Sequence, residues 1–352
     1  MLPSQLYSFD TDLKGMKHNM KHNRFLAALF VALLLLGAVT ACAPAATEPA
    51  ATAAPAAEAT AEPVAEATQA PAGITVTDMM GREVTLTEPA TRVVALSAAD
   101  CEVLYAVGAG DLLVGRGEYC DYPAQVLDVP AVQSGMETNI EQIIALAPQV
   151  LIMSAMAQTE DQVKQLEAAG IKVVVSDAKD IAGVYAAITL IGTLTGHDTE
   201  AAAVVANMQG TLDALAARAS ELEGKSVYFE VSPLQYGLWT AGNGTFMDEI
   251  VTMLGLKNIF ADASGWAEIS EEQVIEANPD IIVTIAMYFG EGQTPVDEIL
   301  SRAGWQDITA VKNGDILNLQ NNELSRPGPR IADGAQALFD FVKEIVTKEN
   351  AA

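Results

Sequence analysis

The stretch NIEQIIALAPQVLIM, residues 139–153, has a second version in the same chain, SEEQVIEANPDIIVT at residues 270–284. Aligned without a gap, Glu141 falls on Glu272 and Pro148 on Pro279. Each version predicts a short helix, a turn that ends at the proline, and a buried strand. A repeated helix–strand unit indicates two similar halves, each with its own sheet.

Strand and helix patterns alternate on both sides of the two copies. ITVTDMMGREVTLT, residues 74–87, predicts a hairpin that turns at Gly81. Residues 198–224 contain no strand pattern and predict one long helix of about 37 Å. The predicted fold class is therefore α/β, with two Rossmann-like α/β lobes of mainly parallel sheet, residues 74–197 and 225–352, joined by a single long helix.

The first 73 residues predict export rather than folding. Residues 16–42 combine basic side chains, an apolar run and the ending VTAC, and residues 1–15 are interpreted as an extension upstream of the true start. VTAC resembles the bacterial lipobox, which implies cleavage before Cys42 and a lipid on its sulfur. Residues 43–73 have no large apolar side chain that could pack, so they predict a disordered linker.

Composition excludes two classes of function. The chain has 19 Lys and Arg against 46 Asp and Glu, a formal net charge of −27. Nucleic acid is therefore excluded as a partner, because its binding requires clustered basic residues. Only 3 histidines are present, too few for a metal site built from several of them. Cys101 and Cys120 remain after lipidation, and one disulfide or two free thiols are equally compatible with the sequence.

The order of motifs carries a family resemblance. The stretches VTDMMGREVTL, EYCDYP, LWTAGNGTFMDEI, GWAEISEEQVIEANPDIIV and RPGPRI follow one another behind the lipobox-like sequence. This order resembles the substrate-binding lipoproteins of bacterial ABC importers, in the rigid-helix class (class III) that binds vitamin B12 and ferric siderophores. The resemblance covers residues 74–348. It implies a monomer that is not an enzyme, lies outside the cytoplasm and is held to the membrane only by its lipid.

The resemblance implies delivery of a metal chelate to a permease dimer with ATPase subunits. The ligand is expected to be cobalamin, another corrinoid or a ferric siderophore, without a resident cofactor. Ligands of such sheets bind beyond the carboxyl ends of the strands. The residues that we expect there are Ser97, Tyr119, Asp121, Tyr122, Trp239, Trp266, Tyr288, Phe289, Asn322, Arg326 and Arg330.

The chemistry of these side chains suits a metal chelate. Aromatic rings offer stacking faces to a corrin, and Arg326 and Arg330 could pair with carboxylate or catecholate oxygens of a siderophore. For each aromatic residue the alternative is core packing, and for Arg330 it is an ion pair with a nearby Glu or Asp. Trp305 is interpreted as structural.

The resemblance also gives a role to the repeated glutamate. Members of the family set one acidic side chain on each lobe, which pairs with arginines of the two permease subunits, and these positions here are Glu141 and Glu272. The alternative is that each glutamate only complements its helix dipole.

Two other functions stay open at this point. One is a surface-anchored hydrolase on an α/β scaffold, although no G-x-S-x-G motif is present. The other is a receptor that scavenges haem or corrinoids without a permease.

Overall fold

The computed structural model describes residues 73–134, 138–155, 159–222, 224–288, 290–320 and 323–351. The predicted signal, the predicted lipidation site at Cys42 and the predicted linker before Gly73 lie outside the described residues. So do two of the expected ligand residues, Phe289 and Asn322. Within the described part, no helix has the length and apolar character needed to cross a membrane.

Short strands and helices alternate, as the sequence predicts. The strands are β1 (Ile74–Thr77), β2 (Glu83–Leu86), β3 (Val93–Ala95), β4 (Leu113–Gly117), β5 (Ala131–Val132), β6 (Val150–Met153), β7 (Lys172–Val175), β8 (Ser226–Glu230), β9 (Leu238–Ala241), β10 (Lys257–Asn258), β11 (Trp266–Ile269), β12 (Ile281–Thr284) and β13 (Ile316–Asn318). The helices are α1 (Ala98–Ala106), α2 (Ile140–Ala145), α3 (Glu160–Ala168), α4 (Ile181–Thr195), α5 (Asp198–Ala216), α6 (Phe246–Met253), α7 (Glu271–Ala277), α8 (Pro295–Leu300), α9 (Thr309–Asn313) and α10 (Ile331–Ala351).

Two parallel sheets form the framework. The sheet of the N-terminal lobe has the order β5-β4-β3-β6-β7, and each neighbouring pair is parallel. The sheet of the C-terminal lobe has the order β10-β8-β12-β13, also parallel throughout. Parallel neighbours require crossover connections, which the intervening helices and turns provide. The predicted class, two α/β lobes with mainly parallel sheets, is confirmed.

Two antiparallel pairs accompany these sheets. β1 and β2 form the predicted hairpin, with Gly81 at a φ of 78° in its turn. β9 and β11 form a second antiparallel ribbon, in which Trp239 pairs with Glu268. This ribbon was not predicted from the sequence, because α6 and β10 separate its two short strands.

The repeated unit has the same geometry in both lobes. Ile143 of α2 and Val274 of α7 occupy equivalent positions, and both are fully buried. The turn after each helix contains a residue with a φ of 46°, Ala147 in one lobe and Asn278 in the other. β6 and β12 then begin and end at equivalent positions, and each lies inside its own sheet. The predicted helix–turn–strand unit is thus confirmed in both copies.

The two sheets face one shared hydrophobic core. Val150 and Ile152 of β6 belong to the same cluster as Ile281 and Val283 of β12. Helices α1, α4, α5, α6 and α10 contribute buried side chains to this cluster. The residues that alternate with them point the opposite way, because successive side chains of a strand face opposite sides. Those residues form separate clusters with α2 and α3 in one lobe and with α7, α8 and α9 in the other.

The helix between the lobes is shorter than the sequence predicts. α5 ends at Ala216 after 19 residues, about 28 Å rather than 37 Å, and a 3-10 turn follows at Ala219–Leu222. Arg218 lies at this break. Its guanidinium covers the ring of Phe339 in α10 at 4.3 Å and donates to Glu221 at 2.9 Å. These contacts favour a turn onto α10, which a helical pattern in the sequence cannot reveal.

Candidate functional site

A cleft of about 260 Å³ lies beyond the carboxyl ends of the N-terminal strands. The segments after β3, β4, β6 and β7 line it on one side, and residues 325–327 of the C-terminal lobe line it on the other. Its polar lining consists of Ser97, Asp100, Tyr119, Ser154, Ser176, Asp177, Ser325 and Arg326. This is the end of the sheet at which the sequence analysis expected a ligand.

Three serines follow three neighbouring strands at this cleft. Ser97 comes just after β3, Ser154 directly after β6 and Ser176 directly after β7. Of the three serines, only Ser97 was expected from the sequence. The signal that could have found the others was present, because LIMS and VVVS place serine at the carboxyl end of a buried strand, as VVALS does.

Asp100 is a buried acid in the cleft wall, with 2% of its surface exposed. The Ser97 hydroxyl donates to its carboxylate at 2.5 Å, and Ser97 also caps α1 by accepting from the Asp100 N–H at 3.1 Å. Burial raises the pKa of Asp100 to about 6. Hydrogen bonds from Ser97 and Ser176 lower this pKa, and the negative charge of Asp177 raises it. The cleft therefore contains a carboxyl group whose pKa is raised well above the usual aspartate range.

Arg326 connects the two lobes across the cleft. Its guanidinium lies 2.5 Å from Asp121 and 3.0 Å from Glu102, both in the N-terminal lobe. The hydrogen bond from Arg326 lowers the pKa of Asp121. Arg326 and Asp121 were both expected to face the ligand, and the structure brings them together as a pair.

Arg330 makes a second connection between the lobes. It lies 2.6 Å from the Glu102 carboxylate, and its guanidinium covers the ring of Tyr122 at 3.8 Å. It also donates to Glu323 of its own lobe at 3.1 Å. These contacts match the alternative of an ion pair with a nearby acid. Glu102, which binds both arginines, was not identified from the sequence, because its partners are 224 and 228 residues away.

The two tyrosines of the EYCDYP segment differ in position. Tyr119 is 70% exposed and lines the cleft. Tyr122 is 45% exposed and stacks under Arg330 outside the cleft lining. Only Tyr119 of this pair offers a free aromatic face at the cleft.

Trp239 and Trp266 share one face of the β9–β11 ribbon. Trp239 pairs with Glu268, and Trp266 lies two residues from Glu268, so the alternation of side chains puts all three on one side. Both tryptophans are partly exposed, but neither lines the cleft. Trp266 packs edge-on against Phe246 with ring centres 5.7 Å apart, and the Phe246 N–H donates to the carbonyl of Lys179 in the other lobe. The tryptophan face therefore adjoins the junction of the lobes.

The remaining predicted residues are less connected to the cleft. Tyr288 is half-buried, and its hydroxyl lies 3.5 Å from the carbonyl oxygen of Gly292. Trp305 is fully buried, donates to Glu271 at 2.9 Å and lies under the guanidinium of Arg302, which confirms its structural role. In the described part of the chain, no group of three or more His, Cys, Asp or Glu is placed to hold a metal ion.

Glu141 and Glu272 occupy equivalent exposed positions. Glu141 lies in the first turn of α2 and Glu272 in the first turn of α7. Hydrogen bonds from its own N–H and from Ser270 lower the pKa of Glu272. Each glutamate is thus a charged, accessible group at the start of a repeated helix.

Comparison with known proteins bears on this arrangement. Residues 93–323 match the family model described as "Periplasmic binding protein". The chain belongs to the periplasmic binding protein family. The resemblance drawn from the order of motifs is confirmed, and the two-lobed α/β fold is the one that this family shares.

Relatives of this periplasmic binding protein include transport proteins. This chain is 33% identical to "Uncharacterized ABC transporter substrate-binding lipoprotein YvrC" of Bacillus subtilis. The match extends over 282 residues, which are 78% of this chain and 87% of the relative. The chain is 29% identical to the "Vitamin B12-binding protein" of Yersinia pestis, over 74% of this chain and 89% of that protein. The solved "ABC-type Fe3+-hydroxamate transport system" of Saccharomonospora viridis matches with a TM-score of 0.64 and 26% identity, over 76% of this chain and 98% of that one.

Proposed function

We propose that this chain is the lipid-anchored, extracytoplasmic solute-binding component of an ABC importer. It binds a metal chelate, a corrinoid or a ferric siderophore, between its lobes and delivers it to a permease dimer. It is a binding protein and not an enzyme. The cleft between the strand ends of one lobe and residues 325–327 of the other carries this proposal.

The chemistry around the cleft suits a chelate with a flat or anionic surface. Trp239 and Trp266 offer aromatic faces on one ribbon beside the lobe junction. Arg326 offers a guanidinium at the cleft, where an acidic group of a ligand could take the place of Asp121. The relatives named for vitamin B12 and for Fe3+-hydroxamate support this ligand class.

The cleft is narrow for such a ligand. Its volume of about 260 Å³ lies below the range of roughly 300–1,000 Å³ that is common for small-molecule sites. The ion pairs of Arg326 and Arg330 with the N-terminal lobe hold the two sides together. Ligand binding therefore requires the Arg326–Asp121 pair to separate.

Attachment and docking complete the proposal. The VTAC sequence would place a lipid on Cys42, and a relative that carries "lipoprotein" in its name supports this. Glu141 and Glu272 would each bind one permease subunit, because a two-fold partner presents the same basic site twice. Their equivalent exposure in the two repeats supports this role.

Calorimetric titration with cobalamin, haem and a ferric hydroxamate tests the ligand class. We expect saturable binding of cobalamin or of the hydroxamate, and no binding of any of the three would contradict the proposal. Trp239→Ala with Trp266→Ala should weaken that binding about tenfold or more, since each tryptophan buries a large apolar face. Tyr236→Ala is the matched control, because Tyr236 is 74% exposed and lies outside the ribbon.

A further inference from the structure

Two cysteine side chains meet in the shared core. The sulfur atoms of Cys101 and Cys120 lie 2.9 Å apart, and both residues are buried, at 0% and 1% exposure. This separation is closer than ordinary packing of two thiols and longer than a covalent bond of about 2.05 Å. Small rotations of the two side chains would therefore bring the sulfurs into bonding distance.

The two cysteines lie in segments that form the N-terminal side of the site. Cys101 belongs to α1, and Cys120 belongs to the loop at residues 118–123. The neighbours of the cysteines in sequence all line the cleft or bind an arginine of the other lobe, and they are Asp100, Glu102, Tyr119 and Asp121. A bond between the sulfurs would join the two segments at their shared site.

We propose that Cys101 and Cys120 form a disulfide in the exported protein, which fastens the 118–123 loop to α1. The two thiols release two protons and give two electrons to an external disulfide, of a small molecule or of an oxidoreductase, which is reduced to two thiols. Proteins of this family act outside the cytoplasm, where disulfides persist. The inference rests on this location and on the sulfur contact, and it does not depend on the ligand.

Burial makes this a structural bond rather than a redox switch. The contact with Cys120 is the main cause that raises the pKa of the Cys101 thiol, and burial is the second. The thiol therefore stays protonated, and a protonated thiol is a poor nucleophile. Once formed, the bond is out of reach of reductants in solution. We therefore expect it to form during folding and to resist reduction until the protein is unfolded.

Peptide mapping of the full chain, expressed with its export signal, tests the bond directly. Trypsin cleaves after Arg92, Arg116 and Lys164, so the two cysteines fall in separate peptides, 93–116 and 117–164. The protein is alkylated in denaturant without reductant, digested and analysed by mass spectrometry. We expect the two peptides to be linked until reductant is added. Two alkylated peptides, or a link from either one to Cys42, would overturn the proposal.

Proteolysis of the folded protein tests what the bond does. Tyr119 is 70% exposed and offers a chymotrypsin site beside Cys120. Cleavage there should be several times faster in Cys101→Ala, in Cys120→Ala and in the double variant than in the wild type. The melting temperature of each variant should be lower by about 5 to 10 °C. Wild-type protein that is reduced in denaturant and refolded in the presence of reductant, without alkylation, should behave like the variants. Equal cleavage in all forms would overturn the claim that the bond fastens this loop.

Discussion

Asp121 of the N-terminal lobe and Arg326 of the C-terminal lobe form an ion pair at 2.5 Å, across 205 residues of sequence. Glu102 holds the same guanidinium from a buried position at 3.0 Å. Arg326 thus has one buried partner and one half-exposed partner. The pair with Asp121 is the contact that can break first as the cleft opens, because solvent can replace it.

Asp121→Asn should make the cleft easier to open. The variant removes one charge from the contact between the lobes while Glu102 still neutralises Arg326. We expect ligand affinity to rise about two- to tenfold and the free energy of unfolding to fall by about 1 kcal/mol or less. Calorimetric titration and urea unfolding measure these changes. Asp128→Asn, an exposed change nearby, is the control, and equal affinity in the two variants would count against a cleft held by Asp121.

Asp100 should make stability depend on pH. Its pKa is about 6 in the folded protein against an ordinary aspartate pKa of 3.8, so the folded state holds the proton more tightly. Stability conferred by this group is therefore lost as pH rises from about 4 to about 6, by about 3 kcal/mol in all. Asp100→Asn should remove this loss, so its stability relative to wild type should rise over that interval. Urea unfolding at several pH values measures it. Asp111→Asn, an exposed change, should show no such trend.

The paired glutamates should matter for transport and not for ligand binding. Glu141→Ala with Glu272→Ala removes one exposed charge from each lobe. If each glutamate binds a permease arginine, uptake should fall tenfold or more while ligand affinity stays unchanged. Labelled-ligand uptake by cells that express the permease measures the effect. Glu160→Ala with Glu276→Ala removes the same charge from other exposed positions and should transport normally. Normal uptake by the first double variant would refute docking through these residues.

The left-handed turn of the repeat predicts opposite effects in the two lobes. Ala147 has a φ of 46° without the side-chain contacts that suit Asn to this conformation, so Ala147→Gly should stabilise the protein by about 0.5–1 kcal/mol. Asn278→Ala should destabilise it by about 1–2 kcal/mol, because Asn278 also accepts from the Thr309 N–H at 2.8 Å. Ala145→Gly, at the last residue of α2, is the control, because it removes the same methyl group from an ordinary helical conformation, and it should destabilise by about 0.5 kcal/mol. Urea unfolding measures the stability of all three variants. If Ala147→Gly lowered the stability, the claim that the backbone is strained at Ala147 would be wrong.

Local sequence patterns correctly predicted most of the strands and helices of the two lobes. The hairpin at Gly81, the alternation of strands and helices and both copies of the repeat depend on periodicity and turn residues that lie close together in sequence. The β9–β11 ribbon was missed because α6 and β10 separate its two short strands in sequence. The end of α5 was missed because Arg218 is held by Phe339, a residue far along the chain.

The sequence could predict the site residues that follow strand ends. It could not predict the ion pairs between residues that are distant in sequence. Three of the expected ligand residues, Ser97, Tyr119 and Arg326, line the cleft, and their contact with a ligand stays a prediction. Ser154 and Ser176 obey the same strand-end rule and could have been named. The ion pairs of Glu102 with both arginines depend on how the two lobes contact each other, and the sequence pattern does not reveal those contacts.

The shared core has a consequence for how the molecule comes apart. Buried side chains from β6 and from β12 belong to one cluster, to which α5 and α10 also contribute. Neither lobe can expose its inner sheet face without exposing that of the other. Denaturation should therefore be a single cooperative transition, and neither half of the chain, cut at the turn after α5, should fold when produced alone.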